Sequence, residues 1–359
     1  MTEHIRLRAE KGATREETQK LLLKAGWPEK LVNEYLDKTY KQLEQNIILR
    51  VRGVSKSFGS NEVIREIDLD IKTGEIFGLI GTSGAGKTTL LNIAVGFLRP
   101  DQGDVLLSLP DGTIQSVQKN PYSIKKQIGF STQTPSFYNR LTARENLEHF
   151  AKLYGLMEPE LTRRCNSVID LVGLKEGKDI QAINLSGGMQ KRLDIACALL
   201  NDPRILILDE PTADLDPILR KQLWELIRQI NSKGTTVILA SHFLAEIELL
   251  CTRIAIIQNK KIAVLGTAEE LRNIYSKNYE ITYESVTQIY DRILSELEKR
   301  KRYFKTASKR TGELVIEAPE PGYILPVIAA YVEQHRGDIQ TLHIARPTLG
   351  RVFEAVVKK

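Results

Sequence analysis

The sequence runs to 359 residues, longer than one ordinary domain, with 42% hydrophobic and 27% charged residues, the balance of a globular protein of two or three compact units. No stretch approaches the roughly 18 successive apolar residues that crossing a bilayer requires, and three widely spaced cysteines, Cys165, Cys197 and Cys251, argue against both a disulfide framework and a zinc site. A net charge of +6 is accounted for by a solvated exterior, and the polar opening MTEHIRLRAEKG is no signal peptide, so the expected location is the cytoplasm.

Residues 1–46 read as a helical hairpin. Thr14 followed by Glu17 makes a capping box ahead of LLLKAG, Gly26 suits a helix end, and Pro28 opens a second helix. Leu31, Val32, Tyr35, Leu36 and Leu43 fall on one face of that helix. Such a pair of helices either binds a partner or packs on the domain that follows.

Over residues 47–278 short β-rich runs alternate with amphipathic helices, the pattern of an α/β domain with a largely parallel sheet. Ile76 to Ile80 form a short buried strand, and Leu90, Ile93, Ala94 and Phe97 recur at helical spacing beyond it. Between them lies GTSGAGKTT: Gly81, Thr82, Ser83, Gly84, Ala85 and Gly86, then Lys87, Thr88 and Thr89. Glycines where a strand turns into a helix let the backbone approach phosphate oxygens with its N–H groups, and the helix dipole adds positive potential. Lys87 is placed to bridge β- and γ-phosphates, and the Thr88 hydroxyl to hold Mg²⁺.

A second cradle follows at AINLSGGMQKRLDIACALL, residues 182–200. Ser186 is a natural N-cap, Gly187 and Gly188 expose the first amides of a helix, and Leu193, Ala196, Cys197 and Leu200 supply its apolar face. It carries no lysine or metal ligand of its own, and the first loop already serves one nucleotide. A two-fold pair of chains resolves this, each presenting its LSGG helix to the γ-phosphate held by the other.

The run RILILDEPTADLDP ends a further buried strand, Ile205 to Leu208, in two carboxylates. Asp209 is placed to hold the magnesium and Glu210 to act as general base toward water. A third strand, TTVILAS, ends at His242, where a histidine can contact the γ-phosphate at the same sheet edge.

Residues 279–359 change pattern again. YEITYES reads as strand, VTQIYDRILSELEKR as helix, YFKTAS and ELVIEAP as a strand pair turning at Thr311 and Gly312, YILPVIAAYVEQH as helix and DIQTLHIA as strand. That order, βαββαβ with a last short helix, fits a ferredoxin-like α+β unit. The basic segment LEKRKRYFKTASKR, residues 297–310, reads either as an attraction for anionic lipid or as an ordinary polar helix end.

GTSGAGKT, the segment GFSTQTPSFYNRL containing Gln133, LSGGMQ, ILILDE, ADLD and His242 together resemble, in order, the ATP-binding cassette (ABC) family. The resemblance covers about two thirds of the chain. It implies a P-loop NTPase domain with a helical subdomain, ATP and Mg²⁺ as cofactors, and ATP hydrolysis. It further implies that Gln133 senses magnesium and the attacking water, that Asp216 links two nucleotide sites across a dimer, and that Phe58 stacks on adenine. The family often has tyrosine where Phe58 stands, and the alternative there is a core phenylalanine.

TARENLEHFAKLYGL resembles the helical subdomain of drug, lipid and polysaccharide exporters whose membrane subunits are separate polypeptides, and RPTLGRVFEAVV resembles their PTLEDVF ending, with Gly350 and Arg351 replacing an acidic pair. Met189 stands where glutamine commonly follows LSGG. The implied partners are transmembrane permease subunits and a second ATP-binding chain, a homodimer in the simplest case, with no nucleic acid, and the chain sits peripherally on the inner face of the membrane through the permease. A soluble relative acting on nucleic acid or ribosomes would carry two cassettes or long coiled coils, and the strand pair here lacks an aromatic platform for bases. An importer ATPase would carry a small β-barrel tail, against which the helices in 285–334 argue.

Overall fold

The computed structural model describes residues 5, 8, 13–120, 124–275, 278–286, 290–299, 303–310, 312–334, 337–346 and 348–357. At the N-terminal end, α1 (Arg15–Lys24) and α2 (Glu29–Gln45) form the hairpin. Thr14 Oγ1 accepts from the Glu17 amide at 3.2 Å while the Glu17 carboxylate accepts from the Thr14 amide at 2.9 Å, and Gly26 turns the chain at φ 84°. Ile5, Leu22, Val32 and Leu36 make its small core, with Tyr35 partly buried against it. Leu31 departs from the expected face and is 40% exposed: one residue is a 100° step around a helix, and two helices bury only a narrow stripe. The side chain of Leu43 lies outside the described residues.

The cassette is built on two sheets. β1 (Ile47–Phe58), β2 (Asn61–Lys72), β4 (Gln102–Ser108) and β5 (Ile114–Ser116) form an antiparallel sheet in the order β2-β1-β4-β5. A six-stranded sheet contains β3 (Ile76–Gly81), β6 (Ile128–Ser131), β7 (Ile205–Asp209), β8 (Thr236–Ala240), β9 (Arg253–Gln258) and β10 (Lys261–Gly266) in the order β10-β9-β3-β8-β7-β6. Its pairs are parallel except β9 with β10. Every residue of β3, β7 and β8 is buried, which is why these strands read as unbroken apolar runs rather than as alternation.

α3 (Lys87–Ala94) follows β3 directly. Phe97 lies beyond its end and is 61% exposed, not part of the apolar face its spacing predicts, because the helix stops at Ala94 and Gly96 turns the chain at φ 78°. The helical part of the cassette comprises α4 (Ala143–Leu153), α5 (Glu160–Val172) and α6 (Gly187–Leu199), and one continuous core joins it to the sheet. Thr142 and Glu145 close a second capping box at the start of α4. All three cysteines are buried and unpaired, and burial pushes the Cys165 thiol up to about 11, so these thiols pack rather than react. α7 (Pro217–Ser232), α8 (Leu244–Leu250) and α9 (Ala268–Tyr275) complete the unit.

Beyond it, β11 (Tyr279–Glu284), β12 (Thr306–Arg310), β13 (Glu313–Ala318) and β14 (Thr341–Ala345) form an antiparallel sheet ordered β12-β13-β11-β14. α10 (Tyr290–Glu298) and α11 (Leu325–Gln334) pack on it through Ile281, Tyr283, Tyr290, Ile293, Ile316 and Ile328. This is the ferredoxin-like arrangement expected from βαββαβ, turning at Gly312 with φ 83°. Thr311 and residues 300–302 of the basic segment lie outside the described residues. The last helix, α12 (Leu349–Val357), leaves this unit: Leu349, Val352 and Val356 are buried in the cassette core. The boundary expected at 279–359 therefore does not describe α12, whose apolar stripe finds its partner on α8 and α9.

Among the described residues no helix is long and apolar enough to cross a membrane.

Candidate active site

The first anion cradle is shaped by two glycines. Gly86 caps α3 at φ 98°, a conformation that side chains disfavour, and a Cβ there would come within 2.5 Å of Ile64 Cγ2. Gly84 turns at φ 78°. Thr82, Ser83 and Gly84 line the exposed rim, while Ala85 and Thr89 are half-buried. Lys87, only 8% exposed, donates to the carbonyls of Gly81 at 2.9 Å and Thr82 at 3.4 Å, so its ammonium stands inside the loop.

β7 and β8 bring their ends to the same edge, because parallel neighbours in register present their carboxyl ends together. Thr88 Oγ1 donates to Asp209 Oδ2 at 2.7 Å. The other oxygen, Asp209 Oδ1, is buried with no hydrogen-bond partner among the described residues. Burial pushes the Asp209 carboxyl above the usual range, and the Thr88 hydrogen bond opposes that shift. A hydroxyl beside a carboxylate with one oxygen unpaired is the donor set that a hard divalent cation takes, so the pair fits Mg²⁺.

Glu210 follows in a left-handed conformation, φ 51°, with its amide donating to the Ala240 carbonyl at 2.9 Å. Its Oε2 lies 2.7 Å from His242 Nδ1 and accepts from the His242 amide at 3.3 Å, while Oε1 lies 3.8 Å from Lys87 Nζ. A non-glycine residue in this region is held there by its surroundings, and such positions concentrate at functional sites. Phe58, at the end of β1, is 52% exposed with the Lys56 ammonium 5.7 Å above its ring, so it is not a core phenylalanine.

Ser186 caps α6, its hydroxyl accepting from the Met189 amide at 3.3 Å, and Ser186 and Gly187 are exposed while Gly188 is buried against Leu219. Among the described residues no hydrogen bond joins this N-terminus to the loop that carries Lys87. Asp216 is exposed and serves as the N-cap of α7, accepting from the amides of Ile218 at 2.8 Å and Leu219 at 3.0 Å. The Gln133 side chain is exposed, and its backbone carbonyl accepts from Lys191 Nζ at 3.1 Å.

The structure thus brings Lys87, Thr88, Asp209, Glu210 and His242 into one cluster, while Gln133, Ser186, Gly187, Asp216 and Phe58 are exposed and make no described hydrogen bond to it.

Two buried devices were not singled out in the sequence. Asp194, on α6, accepts from Ser131 Oγ at 2.5 Å and from the amide and hydroxyl of Ser136, both at 2.9 Å, so it grips both ends of the Gln133 segment. Burial holds the neighbouring Lys191 ammonium below its usual range. Glu246 on α8 accepts from Thr212, Ser241 and Trp224. The signal available for Asp194 was a charge among the apolar residues of a helix read as core.

Residues 64–213 match the family model described as "ABC transporter". The chain is 30% identical over 319 residues to the linearmycin resistance ATP-binding protein LnrL of Bacillus subtilis, covering 85% of this chain and 97% of that one. It is 36% identical over 236 residues to the Nod factor export ATP-binding protein I of Sinorhizobium fredii, 66% of this chain and 67% of that one. The methionine import ATP-binding protein MetN of Clostridioides difficile is 32% identical over 296 residues, 81% of this chain and 90% of that one. Among solved structures, an ATP-binding subunit of an ABC transporter superposes with a TM-score of 0.57 at 29% identity, over 64% of this chain and 93% of that one. A dimeric ATP-binding cassette bound to ADP and phosphate gives a TM-score of 0.55 at 27% identity, over 61% and 98%. On the site described above and on these likenesses, the chain belongs to the family of ABC transporter ATP-binding proteins, the ATPases of ABC transport systems.

Proposed function

We propose that this chain drives export, closing as a homodimer on two ATP molecules and moving separate transmembrane permease subunits. Lys87 meets the β- and γ-phosphates, the amides of Gly84 to Thr89 surround them, and Phe58 stacks on adenine. Thr88 and Asp209 would hold Mg²⁺, with Gln133 reaching the same site from its loop on closure. Bound there, Mg²⁺ offsets the charge of the phosphate oxygens. Glu210 orients the attacking water and takes its proton, and His242, bonded to Glu210, contacts the γ-phosphate.

Ser186, Gly187 and Gly188 of the partner chain cover that phosphate, and Asp216 lies along the contact between the two sites. A shift from almost always open to almost always closed needs roughly 5.5 kcal/mol of preferential binding to the closed form, which two clamped nucleotides can supply.

The cluster of Lys87, Thr88, Asp209, Glu210 and His242 at one sheet edge is the observation that carries hydrolysis. Export is supported by the relative named for Nod factor export, matched over 66% of this chain, beside the relative named for linearmycin resistance, which this chain matches over 97% of its length. Import is the second reading, favoured by the match to a methionine import protein over 81% of this chain, a span that reaches beyond the cassette. Proteoliposomes holding the chain with its co-purifying membrane protein separate them, using an NBD-labelled phospholipid and ATP supplied on the side of the cassette. Export predicts ATP-dependent loss of probe from the cassette-side leaflet, and import predicts the reverse movement.

A further inference from the structure

Glu246 is fully buried on α8, four residues after His242, and among the described residues no salt bridge reaches its carboxylate, although the nearby Arg220 charge favours its ionised form. Its partners are three neutral donors from three separate segments. Thr212 Oγ1 lies 2.7 Å and Ser241 Oγ 2.8 Å from Oε2, and Trp224 Nε1 lies 3.1 Å from Oε1. The indole N–H can only donate, and Ser241 Oγ already accepts from the Phe243 amide at 3.1 Å, so the serine proton goes to the carboxylate. Burial pushes the Glu246 carboxyl above its usual range, the mark of a charge held in a costly place. An apolar side chain would fill the same space at less cost, so packing alone does not account for a carboxylate here.

The two hydroxyls explain the position. Thr212 stands two residues after Glu210, and Ser241 immediately precedes His242. Both are themselves fully buried, so neither has a solvent alternative. Glu246 Oε2 therefore ties together the two chain segments whose adjoining side chains, Glu210 and His242, meet at 2.7 Å. Glu210 also keeps a left-handed backbone that needs external support, and the Glu246 tie to Thr212 acts two residues from it, beside the Ala240 carbonyl bond to its amide.

We propose that Glu246 is a positioning residue for ATP hydrolysis, joining the loop after β7 to the end of β8 so that Glu210 and His242 keep their mutual geometry. This inference rests on the roles given to Glu210 and His242 above. It adds a residue that touches neither nucleotide nor water and acts only through Thr212 and Ser241.

The test uses the full chain and compares Glu246→Ala, Glu246→Gln and Ser241→Ala with Glu210→Gln as control. Steady-state kcat and KM for ATP are read together with equilibrium binding of mant-ATP and thermal melting. Displacing a reacting group by about 1 Å can cost 10²-fold, so Glu246→Ala should lose about that factor in kcat with KM and mant-ATP affinity changed less than about twofold. Glu246→Gln keeps one acceptor oxygen but turns an amide N–H₂ toward another donor, and should lose less, as should Ser241→Ala. These two carry the test if Glu246→Ala does not fold. A lower melting temperature with kcat per mant-ATP site unchanged would make Glu246 a stability residue only and overturn the inference. If Glu210→Gln itself hydrolyses ATP normally, the reading of the site falls and this inference with it. If that control is inactive while the Glu246 and Ser241 variants keep wild-type kcat, the inference alone falls.

Discussion

Glu210 Oε2 and His242 Nδ1 lie 2.7 Å apart, although 32 residues separate them in the chain. Their contact exists because β7 and β8 pair in parallel register, with Asp209 opposite Ala240, so Glu210, one residue beyond its strand, and His242, two residues beyond its own, emerge at the same edge. The same glutamate faces Lys87 at 3.8 Å, which places a carboxylate, a cation and an imidazole around one point. Glu210→Gln should leave ATP binding intact and lower turnover by about 10²–10⁴-fold, the usual contribution of a general base. Phosphate release together with mant-ATP titration checks both halves of that statement.

Asp209 carries a consequence for stability as well as for metal. Its folded pKa is raised by burial, so it costs stability at pH 7, well above the unfolded value of 3.8. Asp209→Asn should therefore raise the melting temperature of the nucleotide-free chain at pH 7. That gain should shrink as pH falls through the raised folded value toward the unfolded value of 3.8, where wild type is protonated too. The same variant should abolish the Mg²⁺ dependence of nucleotide binding. Melting curves across pH, with and without Mg²⁺, separate the two effects.

Phe58 is exposed rather than packed in the core, and an aromatic face stacked on a base contributes about 1–3 kcal/mol. Phe58→Ala should weaken mant-ATP binding by roughly tenfold or more, and Phe58→Tyr should bind as wild type. Titration of the three proteins gives the comparison directly.

The returning helix α12 makes a stability prediction. Val352 is buried in the cassette core, and its truncation to alanine should cost about 1–2 kcal/mol from lost burial and the space left behind. The denaturation midpoint of the full chain should fall with an unchanged slope, since the change is local.

How much of this was legible in the sequence differs between elements for physical reasons. The phosphate loop, the LSGG helix and the acidic strand end are local devices: a few successive residues determine glycine turns, caps and buried strands, and each was found where expected. The capping box of Thr14 and Glu17 is equally local. Leu31 and Phe97 were misplaced because periodicity states which residues share a face but not how wide a stripe the partner covers, nor where a helix stops. Asp194, Glu246 and the destination of α12 depend on segments far apart in the chain, as with Ser131 and Asp194 across 63 positions. No local pattern marks such a partner, so only the folded arrangement reveals it.

The central claim is that one nucleotide is held by two chains, with Ser186 of one covering the phosphate bound at Lys87 of the other. The most direct measurement is the solution mass of the Glu210→Gln chain with saturating ATP and Mg²⁺, by light scattering, with and without Ser186→Arg. The account predicts a dimer of about twice the chain mass for Glu210→Gln and a monomer that still binds mant-ATP when Ser186→Arg is added. A Ser186→Arg chain that dimerises on ATP as readily as its parent, or a wild-type chain that hydrolyses ATP at full rate as a strict monomer, would contradict it.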